Sequence, residues 1–266
     1  MSTGLRALSA AVALAALSAS SALADPSSAA EWRNAAAQDL DAVRNIMVTD
    51  TPVGAGAAGP SYDAWLTQGY AQAQARLPQV QDRISYYYTL AAFVNGFHDP
   101  HLSLSPNQAL PAPRWPGFVA TRQRDDVVVS WRDGGDATAA PLGARVISCD
   151  GQSLDALIER DVYAFTIDPR LPESTRRAAP RLFLDVGNPF APAPQACVFN
   201  INGAERSVTL RWRPLPNPPA PFNTAFSDAG LGPSATFGLT HPGDGIAWIG
   251  APTFSPTRRA AFRWAR

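Results

Sequence analysis

The chain has 266 residues and equal numbers of basic and acidic side chains, 22 of each, and every basic one is Arg. The absence of Lys excludes a P-loop, a Schiff-base Lys and a Ser–Lys dyad formed within these residues. The zero net charge and a pI near 6.8 argue against a nucleic acid or other polyanion as partner. Apolar residues at 46% and charged ones at 17% suit a folded protein with a core rather than a disordered chain.

Residues Met1 to Ala24 read as a cleavable secretory leader. Arg6 supplies the positive start, Ala7 to Leu17 the apolar stretch, and Ala22-Leu23-Ala24 a small-x-small cleavage site before Asp25. The alternative is a membrane anchor, which Ser18, Ser20 and Ser21 disfavour in a run already short for a span. The expectation is cleavage after Ala24, a periplasmic or extracellular protein, and no stable membrane span afterwards. Cys149 and Cys197 are the only cysteines, and in an exported chain they allow one disulfide; two buried free thiols are the alternative.

Helical periodicity follows. Trp32, Ala36, Leu40, Val43 and Met47 predict a helix over Ser28–Val48, capped by Ser27 or Ser28. A Gly/Ala/Pro linker spans Thr49–Pro60, and a second helix is expected over Ser61–Leu77. A third is expected over Gln79–Phe97, with an apolar stripe of Val80, Ile84, Tyr87, Leu90 and Val94 and a stop at Asn95-Gly96. Together these predict a helical N-terminal domain over 25–106.

The pattern then changes. His101–Ser105 alternates like a strand, and a Pro-rich linker covers Asn107–Pro116. Phe118–Arg122 and Val127–Trp131 predict a hairpin, and Ala144–Cys149 a further strand running into Asp150-Gly151 and a helix capped by Ser153. Thr175–Leu184 is expected to be helical, and Cys197–Ile201 and Ser207–Trp212 are expected to pair across Asn202-Gly203. This is a mixed, β-rich module over 107–214. After the stiff Pro214–Pro221 stretch, Ala235–Leu239 and Gly245–Ala251 read as strands, with His241–Gly245 a loop.

Three His are present: His98, His101 and His241. Phe97-His98-Asp99-Pro100-His101 sets two imidazoles and a carboxylate at a helix end, where functional side chains are often displayed. Three readings stay open on the residues alone. His98 and His101 with Asp99 make only a partial metal shell, so no metal is expected. His101 is a candidate general base oriented by a carboxylate. Alternatively, Asp99 turns the chain and both His are structural. No Gly-x-Ser-x-Gly elbow occurs. Ser153 is better explained as a helix cap, Ser103 and Ser105 have no evident activator, and Cys149 sits at a strand end.

In this order the residues resemble a family. An exported helical segment ends in Asp99-Pro100-His101. A stretch from Gly143 to Leu154 (GARVISCDGQSL) is similar to the strand-turn-helix signature of PDZ domains. Gly245 to Phe254 (GIAWIGAPTF) resembles the strand that opens a protease core. The order is that of the tricorn-like and C-terminal-processing serine peptidases. The resemblance implies an α+β protein: a helical N-terminal domain, a PDZ-like module over 107–214 and the truncated start of a mixed α/β protease core over 215–266. It implies hydrolysis of peptide bonds with His101 as general base, no cofactor, and a peptide or unfolded protein as substrate. The motif usually continues with Thr or Ser where Leu102 stands, and has a small polar residue where Pro100 stands. The family's nucleophilic Ser follows a Gly-rich turn beyond this point, so the chain is expected to be inactive alone. A non-enzymatic peptide binder using the PDZ-like module is the alternative.

Overall fold

The structure is a computed structural model that describes residues 25–49, 60–99, 102–136, 138–165, 172–215, 223, 238–243 and 245–250. The leader, the linker over 50–59, Pro100, His101, the Pro-rich stretch beyond Leu215 and the Arg-rich end lie outside the described residues.

Three helices open the fold: α1 (Ala29–Thr49), α2 (Pro60–Arg76) and α3 (Arg83–Asn95). α1 starts where the Ser28 hydroxyl accepts from Glu31 N–H (3.3 Å) while the Glu31 carboxylate accepts from Ser28 N–H (3.0 Å) and Ser27 N–H (2.6 Å). α3 starts four residues later than periodicity suggested. A short 3-10 turn, Leu77–Gln79, contains Pro78, and Asp82 then forms a capping box with Ser85. The expected single stripe on α3 is also corrected. Every residue from Tyr88 to Val94 is buried, because α3 is the central helix, packed by α1 and α2 on one side and by the β-rich part on the other.

The expected strand over His101–Ser105 does not form in its described part. Residues 102–105 belong to no strand; Leu102 and Leu104 instead pack on the helical core, and Tyr87 Oη–H donates to the Leu104 carbonyl (3.2 Å). Alternation here marks an extended segment lying on helices, with no partner strand to complete a ladder.

The β-rich part is an antiparallel sheet built from β2 (Phe118–Gln123), β3 (Asp126–Arg132), β4 (Arg145–Cys149), β6 (Ala196–Ile201) and β7 (Ala204–Thr209), in the spatial order β2-β3-β4-β6-β7, with the short β5 (Gln152–Ser153) paired to β4. Both predicted turns are present. Asp150 and Gly151 take φ of 48° and 75°, and Asn202 and Gly203 take 52° and 87°, the left-handed values a two-residue hairpin turn of this hand needs. Ser153 caps α4 (Leu154–Leu157), accepting from Ala156 N–H (3.3 Å), and the helix continues as a π-helical turn through Tyr163. α5 (Pro172–Leu182) packs on β2 and on that π-helical turn.

Cys149 and Cys197 stand directly opposite each other on β4 and β6, both buried, and are bonded as a disulfide. Asp150 holds the same place: its carboxylate accepts from Gln195 N–H (2.9 Å) and Ala196 N–H (2.9 Å).

Two small ribbons complete the description. β1 (Arg114–Trp115) pairs with β8 (Arg213–Pro214), so the expected 107–116 linker ends in a strand pair. β9 (Gly238–Gly243) pairs with β10 (Ile246–Gly250). His241 to Gly243, expected as loop, lie in β9, and the turn falls later, at Gly245 with φ 75°. The architecture is α+β, as expected, and no described helix is long and apolar enough to cross a membrane.

Candidate functional site

The segment carrying His98 and Asp99 leaves the C-terminal end of α3, and its position follows from packing beneath it. Trp65 on α2 lies between two glycines. An added Cβ at Gly69 would stand 2.2 Å from the indole, and one at Gly96 would stand 1.9 Å from it. Trp65 Nε1–H donates to the Phe93 carbonyl (2.8 Å), which ties the indole to the last turn of α3. Phe97 is buried next to it, 4.5 Å from the Tyr62 ring and 5.2 Å from the Phe93 ring, centre to centre. The chain then turns sharply. His98 N–H donates to the Asn95 carbonyl (2.9 Å), His98 takes φ 54°, and Leu102 N–H donates to the Asp99 carbonyl (3.0 Å). Asn95 Nδ2–H donates to the Tyr163 carbonyl (2.7 Å), so the helix end is also anchored to the β-rich part.

His98 and Asp99 are therefore half-buried on a rigidly held turn that places Leu102 back on the core. His101 itself lies outside the described residues, as do the details of Pro100. His241 is on β9. Ser153 is a helix cap and Cys149 is in the disulfide, so neither is a nucleophile. Ser103 and Ser105 are exposed beside the core-packed leucines. Among the described residues no group of three or more His, Cys, Asp or Glu comes together that could hold a metal ion.

A peptide-binding role for the β-rich module would need an open sheet edge. The sheet ends in β2 on one side and β7 on the other. β2 is a terminal strand, and Phe118, Val119, Ala120 and Thr121 on it are all buried, so its two faces are covered: one by α5 and Phe183, the other by Trp115 and Trp131. That explains why its sequence is a continuous run rather than an alternation. β7 is exposed at five of six positions. Glu205 and Arg206 on it are the kind of charged residues that keep an edge soluble.

Sequence reasoning did not foresee a cluster that ties the end of this module to its start. Arg213 pairs with Asp133 (2.9 Å) and Asp136 (3.0 Å) and sits over the Trp115 ring (5.5 Å), which stacks on Trp131 at 5.5 Å. The Trp and Asp residues were visible, but no local spacing links them to a residue some eighty positions away. A further group, Tyr86, Tyr87 and Tyr88 on α3, shares one electrostatic signature. Burial pushes each phenol pKa up, Tyr88 to about 12, and Asp39, which accepts from the Tyr86 hydroxyl, pushes Tyr86 further.

No protein-family model and no curated protein matches the chain. Solved structures do. Mature CPAF, a chlamydial serine protease, complexed with lactacystin is similar with TM-score 0.53 at 16% identity, over 70% of this chain and 36% of that one. A serine-to-alanine mutant of CPAF is similar with TM-score 0.51 at 15% identity, over 75% of this chain and 40% of that one. The chain thus spans well under half the length of these proteins. The likeness shows a protease-like fold.

Proposed function

We propose that this chain is the front part of an exported serine-type peptidase, with the His101 imidazole as general base, and that residues 107–214 act as a PDZ-like module. The observation that carries the reading is the protease-like fold itself, with the Asp99–His101 segment following directly on the anchored end of α3. A general base works from a fixed position within hydrogen-bond reach of its nucleophile. The Trp65–Gly96 contact and the Asn95–Tyr163 bond hold the end of α3, from which His98 and Asp99 leave.

In this reading a Ser hydroxyl attacks the scissile carbonyl, His101 accepts its proton, and the acyl-enzyme formed is hydrolysed by water. No Asp-x-Arg-x-Asn-x-Gly-Gly stretch followed by Ser occurs in this sequence, and Ser153 and Cys149 are otherwise engaged. We propose that the chain by itself does not hydrolyse peptides. An extended peptide would be held at the β7 edge, a terminal strand exposed at five of its six positions. Export, with cleavage after Ala24, belongs to the same proposal and is supported by the Arg6 to Ala24 pattern.

The competing reading, a peptide-binding protein without catalysis, is favoured by the exposed β7 edge of the main sheet. The test is to translate the DNA beyond codon 266 in all frames and to assay the purified chain on an unfolded protein. A Gly-rich turn followed by Ser in the downstream sequence, together with no cleavage by the chain alone, is the expected result. Downstream sequence without such a turn would leave only the binder. Cleavage by the chain alone, blocked by a serine-directed reagent, would overturn the assignment of the nucleophile.

A further inference from the structure

A cavity of about 80 Å³ lies where α3, the π-helical turn, α5 and the 184–194 loop meet. Its walls are mostly apolar: Val162, Phe165, Leu182 and Val186 among them. Arg181 also lines it. Among the described residues the Arg181 side chain makes no ion pair and no hydrogen bond. Arg181 is half-buried, and a guanidinium does not deprotonate in proteins, so an anion or acceptors in the cavity offset the water it has lost. Burial works against its charged form, and the charge that acts on it most, Arg177, has the same sign.

Asp161 lines the same cavity but does not neutralise Arg181. Its two oxygens are taken by Arg160, Nε to Oδ1 at 2.5 Å and Nη2 to Oδ2 at 2.6 Å. Asn188 is buried in the wall; its Oδ1 accepts from Phe190 N–H (3.0 Å), which leaves its amide NH2 to donate.

We propose that this cavity binds an organic monocarboxylate, whose carboxylate pairs with the Arg181 guanidinium and whose small apolar body lies against Phe165, Leu182 and Val186. A planar carboxylate matches the guanidinium fork with two parallel hydrogen bonds. A phosphate would bring more charge and more acceptor oxygens than one guanidinium and one amide can satisfy in an otherwise apolar pocket. The volume admits a group of a few heavy atoms, since a single water needs roughly 10–15 Å³ of such space. A free short-chain carboxylate and the carboxyl end of a peptide present the same chemistry. No described residue of 97–105 lines the cavity, and the inference does not rest on the peptidase reading.

The test is calorimetric titration of the full chain with isovalerate, N-acetyl-leucine, N-acetylleucinamide and inorganic phosphate. At least one acid binds saturably, and the amide binds at least about tenfold more weakly. Tighter binding of isovalerate identifies a free carboxylate as the ligand type; tighter binding of N-acetyl-leucine identifies a peptide end. Arg181→Met abolishes acid binding and leaves the melting temperature of the unliganded chain unchanged or higher, because it removes an unpaired charge at similar volume. Absence of acid binding, equal binding of the amide, a preference for phosphate, or binding unaffected by Arg181→Met overturns the proposal. Should Arg181→Met fail to fold, the acid-to-amide contrast on the native chain decides alone.

Discussion

Two glycines decide where Trp65 can lie, and through it where α3 ends. A Cβ at Gly96 would meet the indole at 1.9 Å, inside any real contact, so Gly96→Ala must displace a ring that is hydrogen-bonded to Phe93. We expect Gly96→Ala to lower stability by about 1–3 kcal/mol, the usual cost of overpacking, read from urea midpoints. Gly134→Ala, with nothing within 4 Å, serves as the control and should change stability by less than about 0.5 kcal/mol. Equal effects at the two positions would mean that the Trp65 slot does not hold the helix end. The tyrosines of α3 give a second residue-scale test. Their phenol pKa values are raised in the folded chain, so the folded state keeps protons that the unfolded state has already lost. The stability they contribute is complete below the ordinary tyrosine pKa of about 10 and is lost as pH rises toward about 12, the value for Tyr88. Ultraviolet titration should show this group ionising late and together with alkaline unfolding. Ionisation near pH 10 with the fold intact would contradict the burial described.

Among the elements, the β4–β6 pair carries the most constraint. The disulfide joins residues 48 apart in sequence, and the same junction is held by the Asp150 carboxylate. On the chain-entropy account, Cys149→Ala with Cys197→Ala removes about 4 kcal/mol. Denaturant midpoints of the variant and native chains check this, and a loss below about 1 kcal/mol would mean that Asp150 and the ladder suffice. The same region shows why some elements were legible in the sequence and others were not. Asp150-Gly151 and Asn202-Gly203 announce their turns because few other residues tolerate the left-handed backbone found there. The alternation of His101–Ser105 misled, because a period of two marks one buried face without saying whether a strand or a helix covers it. The start of α3 was placed too early, because Gln79 and Val80 fit the periodicity while Asp82 and Ser85 supply the actual cap. Helix α5 over β2 depends on tertiary packing that no local pattern records, and the burial of the β2 side chains follows from it.

For the whole molecule, the fold supports a protease-like architecture across about 70% of the chain, and catalysis is the proposal built upon it. The D-x-H segment stands out in the sequence by order and spacing, and His101 lies outside the described residues. The Arg181 cavity was not, since its walls come from Tyr88, Val162, Leu182 and Asn188, brought together only by docking α3 against the β-rich part. The central claim concerns His101. It is tested most directly by expressing the gene through its downstream sequence and measuring kcat on an unfolded protein for the native form and for His101→Ala. The account predicts cleavage that a serine-directed reagent blocks, and a fall of about 10²–10⁴-fold in kcat for His101→Ala with an unchanged melting temperature. Cleavage at the native rate by His101→Ala, or no reagent-sensitive cleavage by the native form, would contradict it.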